Sequence, residues 1–135
     1  MPPVFLLDTN AVSDIMDRHP VLTARAARHP GRLLTSVIVH GEIRYGLERL
    51  PPGRKRTDLE ARAASVMPRF SIEPITAAVA ELYGRLRASL DAQAVNLKDN
   101  DLWIATTALS LGAILVTRDR IFSRVPGLQV EDWTV

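Results

Sequence analysis

The chain has no cysteine among its 135 residues, which excludes disulfides and thiolate zinc sites and suits a reducing cytosol. Its three histidines, His19, His29 and His40, show no metal-ligand spacing. Any metal must therefore be held by oxygen, and hard oxygen ligands favour magnesium or manganese. No apolar run approaches the ~20 residues of a membrane span. The N-terminus lacks the charged start and long apolar stretch of a signal peptide, so a soluble, cytoplasmic protein is expected. Repeats, linkers and low-complexity tracts are missing too, and the length fits a single domain, residues 1–135. At this size folding buries roughly two-thirds of the unfolded surface, enough for a core without staples.

Lysine is nearly absent as well: Lys55 and Lys98 stand against fifteen arginines. A GC-rich genome produces that bias, but the planar guanidinium fork also suits phosphate recognition. The net charge of +2 conceals an asymmetry, with eleven basic and seven acidic side chains in residues 1–70 and six and eight in 71–135. The first half can therefore offer a phosphate-facing surface.

The apolar run Val4 to Leu7 stops at Asp8, the pattern of a buried parallel strand that ends at a helix start. Thr9 or Asn10 is the expected cap of that helix, which His19-Pro20 closes. A second helix is expected from Pro20 to about Arg28. A strand at 33–35 follows, with Ser36 capping a helix that runs to Leu50, before Pro51-Pro52-Gly53. Leu59, Ala63, Val66 and Met67 fall at helical spacing across 54–67. A third strand is predicted over 70–75, and Thr76 caps a helix whose Val79, Leu82, Tyr83, Leu86 and Leu90 share one face. Residues 99–111 form the most apolar helix, ended by Gly112, followed by strands at 113–117 and 128–130. Strands alternating with helices imply an α/β domain: a three-layer α/β/α sandwich with a central, mainly parallel sheet of four to five strands.

Four acids stand beside apolar runs: Asp8, Glu42, Asp101 and Asp119. Asp8 and Asp119 follow the carboxyl ends of predicted strands and Asp101 opens a helix, which is the ligand-binding edge of an open α/β sheet. Glu42 borders the buried face of its own helix. Taken singly, each acid has an ordinary structural role as a cap, dipole partner, turn former or arginine partner. Together, four carboxylates that converge away from water repel one another unless protons, arginines or metal ions neutralise them. Their separations of 34, 59 and 18 residues exceed any local motif, so only the topology can assemble them.

Motifs around these acids occur in a recognisable order. They are Leu-Leu-Asp-Thr-Asn at 6–10, Gly-Glu-Ile-Arg-Tyr-Gly-Leu at 41–47 and Asp-Leu-Trp-Ile-Ala-Thr-Thr-Ala-Leu at 101–109. Leu-Val-Thr-Arg-Asp at 115–119 and Val-Pro-Gly-Leu-Gln-Val-Glu-Asp-Trp at 125–133 complete the series. The chain thus resembles the PIN domains, specifically the VapC-type toxin ribonucleases, over nearly its whole length. The resemblance implies a divalent-metal endoribonuclease with an acidic quartet at Asp8, Glu42, Asp101 and Asp119, supported by Asn10 and Thr117. It further implies one or two Mg2+ or Mn2+ ions, an RNA substrate, a homodimer, and an antitoxin that places a peptide into the acidic site. Many relatives carry an acid where Ile121 stands, so Asp119 serves alone as the fourth acid here; Asp99 is a substitute ligand or a helix cap.

In such a site a metal activates water and offsets charge on the phosphoryl oxygens. Arg44, Lys98 and Arg118 are the candidate contacts to the RNA backbone. Trp103 and Trp133 read as packing residues, although a tryptophan can also stack on an unpaired base. Two other readings are open. An aspartyl-phosphate chemistry at Asp8 fits poorly, because Asp8-Thr9-Asn10 is not Asp-x-Asp and no lysine lies near the fourth strand. A catalytically weak binding module is the alternative from another class.

Overall fold

The computed structural model describes residues 2–135 and contains five parallel strands in the order β3-β2-β1-β4-β5. β1 (Phe5–Leu7) and β4 (Ile114–Val116) lie at the centre, flanked by β2 (Leu33–Ser36) and β3 (Ser71–Glu73) on one side and β5 (Val130–Glu131) on the other. All three side chains of β1 are buried. Successive residues of a strand point to opposite faces, so both faces of this sheet are covered. The cover comes from α1 (Thr9–Met16), α2 (Pro20–Ala26), α3 (Val37–Glu48), α4 (Arg54–Val66), α5 (Ala77–Ala92) and α6 (Asp99–Leu111). α1 packs on α2, α3 and α4, and α5 packs on α6. Among the described residues no helix is long and apolar enough to cross a membrane.

Most predicted boundaries hold to within a residue or two, and the departures have local causes. The cap of α1 is Asp8, whose carboxylate accepts the Ala11 N–H at 2.9 Å, in place of Thr9 or Asn10. β1 runs straight into the helix, so the chain turns one residue earlier than the polar cluster suggests. Ser36 caps α3 and Thr76 caps α5, each accepting a backbone N–H three residues on at 3.2 Å. β3 is shorter than the predicted 70–75: the 3-10 turn Met67–Arg69 delays its start, and Pro74, which has no N–H, ends it. β5 begins at Val130 because Leu128 still donates to the Val125 carbonyl at 3.3 Å within the preceding turn.

α6 is the most deeply buried helix, with Leu102, Ile104, Ala105, Thr106, Thr107 and Ala108 all inside, and Gly112 (φ 62°) closes it in the left-handed conformation. Trp133 is a core residue, only 1% exposed, with its ring 4.9 Å from Phe5 and 5.5 Å from His29. Arg25 lies over that indole at 5.6 Å and donates to the carbonyls of Asp132 and Val135, so the last residues are clamped to α2.

Candidate active site

Because β1 is hydrogen-bonded to β4, the residues that follow them emerge side by side at the carboxyl edge of the sheet. The Asp8 N–H bonds the Val116 carbonyl at 3.2 Å, which places Asp8 directly against the segment leading to Asp119. The first turn of α6 brings in Asp101 and the middle of α3 brings in Glu42. All four acids line one cleft of about 440 Å3, with Asn10 and Lys98 on its wall.

The cleft is strongly acidic, and its hydrogen bonds hold the acids in place without neutralising them. Asp8 is 4% exposed, and burial pushes its pKa up to about 6, with the negative charges of Asp101 and Asp119 adding to the rise. The Thr117 hydroxyl and the Ala11 N–H act in the opposite direction. Burial raises Asp101 as well, followed by the charges of Asp119 and Glu42, against which Lys98 offers partial relief. Glu42 accepts the Thr9 hydroxyl at 2.5 Å. Asp119 accepts the Ile121 N–H at 3.0 Å, while its own N–H donates to the Thr117 hydroxyl oxygen at 3.0 Å. Thr117 therefore touches both strand-end acids.

Among the described residues none of the four has a lysine, arginine or histidine within ion-pair distance, whereas Asp14, Asp17, Asp91, Asp99, Glu48, Glu60 and Glu131 all do. Nor do any three acidic or histidine side chains among the described residues form a ready-made metal-binding group. Facing carboxylates without a counter-cation stand apart, as like charges should. The donor set itself fits a hard divalent cation: it is all oxygen, it faces a cleft, and its charge is unneutralised.

The other candidates divide. Asn10 and Lys98 are in the cleft and Thr117 supports it from behind. Arg44 is not part of the cleft; it is bound to Glu48 and lies 3.8 Å from Glu60. Arg118 pairs with Asp14 at 3.7 Å and does not line the cleft. Asp99 is no cap, since Lys98 holds that position in α6; its carboxylate accepts the Tyr83 hydroxyl and an Arg87 N–H, both at 2.9 Å. Trp103 is half-buried and stacked on Tyr83 at 3.8 Å. The hydroxyl of Thr9 had no signal in the sequence beyond its place next to Asp8.

A doubly wound parallel sheet with clustered acids at its carboxyl edge defines a class, and comparison with known proteins gives it a name. The PIN domain family model matches residues 5–128, and the chain belongs to that family. It is 30% identical to Ribonuclease VapC1 of Haemophilus influenzae, an alignment covering 97% of this chain and 98% of the relative. Among solved structures, the DNA-bound VapBC of Salmonella typhimurium matches with a TM-score of 0.88 and 28% identity, covering 98% of this chain and 99% of that one. VapBC-5 of Mycobacterium tuberculosis, described as a member of the VapBC family of toxin-antitoxin systems, matches at 0.75 and 28%, covering 96% and 97%. Within the PIN domains, the chain is of the VapC type.

Proposed function

We propose that this chain is the toxin of a toxin-antitoxin pair, an endoribonuclease that depends on Mg2+ or Mn2+. The observation that carries this reading is the convergence of Asp8, Glu42, Asp101 and Asp119 on one cleft, with no cationic side chain among the described residues at ion-pair distance. The identity with a ribonuclease of the same type supports RNA as the substrate, and the likeness to toxin-antitoxin complexes supports an antitoxin partner. A homodimer is part of the same proposal.

Asp8, Glu42 and Asp101 would hold one or two ions, with Asp119 as a direct or water-mediated ligand. When bound, the cation supplies Lewis acidity, making water a nucleophile near neutral pH and offsetting charge on the phosphoryl oxygens. The chain's own groups prepare for it. Thr9 fixes one Glu42 oxygen through its hydroxyl, which leaves the other free to turn into the cleft. Thr117 and the Ala11 N–H orient the Asp8 carboxylate, whose pKa of about 6 lets it carry a proton in mild acid and release it by neutral pH. Lys98 stands beside Asp101 in the cleft, a place from which its ammonium can meet a phosphate oxygen.

The test is incubation of the purified, antitoxin-free chain with RNA in Mg2+ or Mn2+, and again in excess chelator. Cleavage in metal, lost in chelator and absent in Asp101→Asn, is the expected result. Cleavage that survives chelation removes the metal from the mechanism, and binding without cleavage makes the chain a binding module.

A further inference from the structure

One inward-facing carboxylate takes no part in the cleft. Asp14 follows Asp8 by six residues, about 9 Å along the axis of α1. Its side chain is only 13% exposed, and with Ala11, Thr117, Arg118, Asp132 and Trp133 it lines a small cavity beside the turn that follows β4. Oδ1 lies 3.7 Å from the Arg118 guanidinium, while Oδ2 is buried with no hydrogen-bond donor of the protein against it. Among the described residues only the Thr23 hydroxyl shares that condition. A buried carboxylate oxygen without a donor is destabilising, and an apolar side chain at this place would avoid the loss. Arg118 is half exposed, so an ion pair that opens to water on that side returns little stability.

The place of Arg118 in the chain gives the pair a different use. It stands between the two residues that join the turn to the cleft. Thr117 hydrogen-bonds the Asp8 carboxylate and accepts the Asp119 N–H at 3.0 Å, and Asp119 in turn accepts the Ile121 N–H at 3.0 Å. Thr117 thus ties the turn to the start of α1 at one point, about which the turn can pivot. Arg118 ties it to the same helix a second time, further from the cleft. Two attachments to one rigid helix fix the direction of the turn, where one fixes only its distance.

We propose that Asp14 and Arg118 are positioning residues for the fourth acid: the pair sets the turn so that the Asp119 carboxylate and the Thr117-bound Asp8 carboxylate meet the same cation. The proposal rests on the reading of the cleft as a metal-dependent centre. Asp132 also feels Arg118; its carboxyl is held below the ordinary value chiefly by the Thr134 hydroxyl, with Arg118 and Arg25 adding to the lowering. Its carboxylate is nevertheless already supplied by the Thr134 hydroxyl and N–H, whereas Asp14 has no other cationic partner among the described residues. Asp14 is therefore the anchor that Arg118 uses.

The test reads metal binding apart from catalysis. Mn2+ is titrated by calorimetry into the full, antitoxin-free chain after chelator has been removed, and RNA cleavage is followed against Mn2+ concentration in parallel. Asp14→Asn and Arg118→Met each remove one charge of the pair, and the double variant removes both. Asp17→Asn/Arg62→Met removes another ion pair of the same 3.7 Å separation that does not line the cleft. A cooperative urea transition shows which variants fold, and the half-exposed Arg118 keeps its own variant decisive if Asp14→Asn does not. Each single variant should raise the Mn2+ Kd roughly tenfold or more, and cleavage should need correspondingly more Mn2+. The double variant should be no weaker than the weaker single, because the two residues act as one unit, and the comparison pair should match wild type. An unchanged Mn2+ Kd in Arg118→Met, losses in the double variant that multiply, or an equal loss in the comparison pair would overturn the proposal. If the wild type binds Mn2+ and cuts RNA and Arg118→Met does both equally well, the positioning role alone falls. A wild type that binds no Mn2+ ends the metal-dependent reading and the positioning role with it.

Discussion

Replacing Asp8 with asparagine should stabilise the metal-free protein while abolishing its activity. The amide would keep the shape of the side chain and the acceptor for the Ala11 N–H, and asparagine equals aspartate as a helix cap. What changes is the buried charge. The Asp8 pKa rises from 3.8 to about 6 on folding, which at ~1.4 kcal/mol per pH unit corresponds to about 3 kcal/mol. The sign follows from proton counts: between these values the native state binds more protons than the unfolded one, so stability falls as pH rises. The favourable contribution is complete below pH 3.8 and gone above about 6. Asparagine resembles the protonated acid and escapes the loss. Urea unfolding in chelator should thus show Asp8→Asn up to about 3 kcal/mol more stable at pH 7, a midpoint shift of about 1–2 M, with the two proteins converging near pH 4. Added Mg2+ should raise the wild-type midpoint and leave the variant unmoved. A variant less stable than wild type at pH 7, or a gap that does not change between pH 4 and 8, refutes this reasoning.

Other perturbations follow from the same structure. Lys98→Met removes the one cation that holds the Asp101 pKa down, so the acidic limb of kcat/KM against pH should move to higher pH; a limb that stays or moves down contradicts the electrostatics. Trp133→Ala empties a core position that is 1% exposed and should cost about 3–5 kcal/mol in chemical denaturation. Gly112→Ala places a Cβ at φ 62° with nothing within 4 Å, so the cost is backbone strain alone, about 1 kcal/mol by the same assay.

What could be read in the sequence depended on how local each signal was. Ser36, Thr76 and Gly112 act within one helical turn, and each ends or begins its helix as its residue type demands. The continuous apolar character of Phe5 to Leu7 and of Leu115 and Val116 announced central strands. The cleft was legible because three of its acids sit at element boundaries, where sequence patterns are clearest. Arg44 shows the opposite case: its i,i+4 partner Glu48 lies on the same helix, but its approach to Glu60 depends on how α3 lies against α4. Asp99 is similar, since Tyr83 and Arg87 reach it from α5.

Strand order is the link between these scattered residues and one site. Were β1 paired between β2 and β3, Asp8 and Asp119 would emerge from strands that do not touch, and Thr117 could not reach both. With β4 beside β1, the reversal of winding direction falls between the two strands that end in acids, which is where ligands bind in doubly wound sheets. The helix that follows β2 then has to start at the same edge, which brings Glu42 over the cleft, and α4 after it packs alongside α1. A parallel sheet therefore assembles the acidic site from one topological choice. The cost of that choice is concentrated in Asp8, where the uncompensated charge is most deeply buried and where a cation has most to offset.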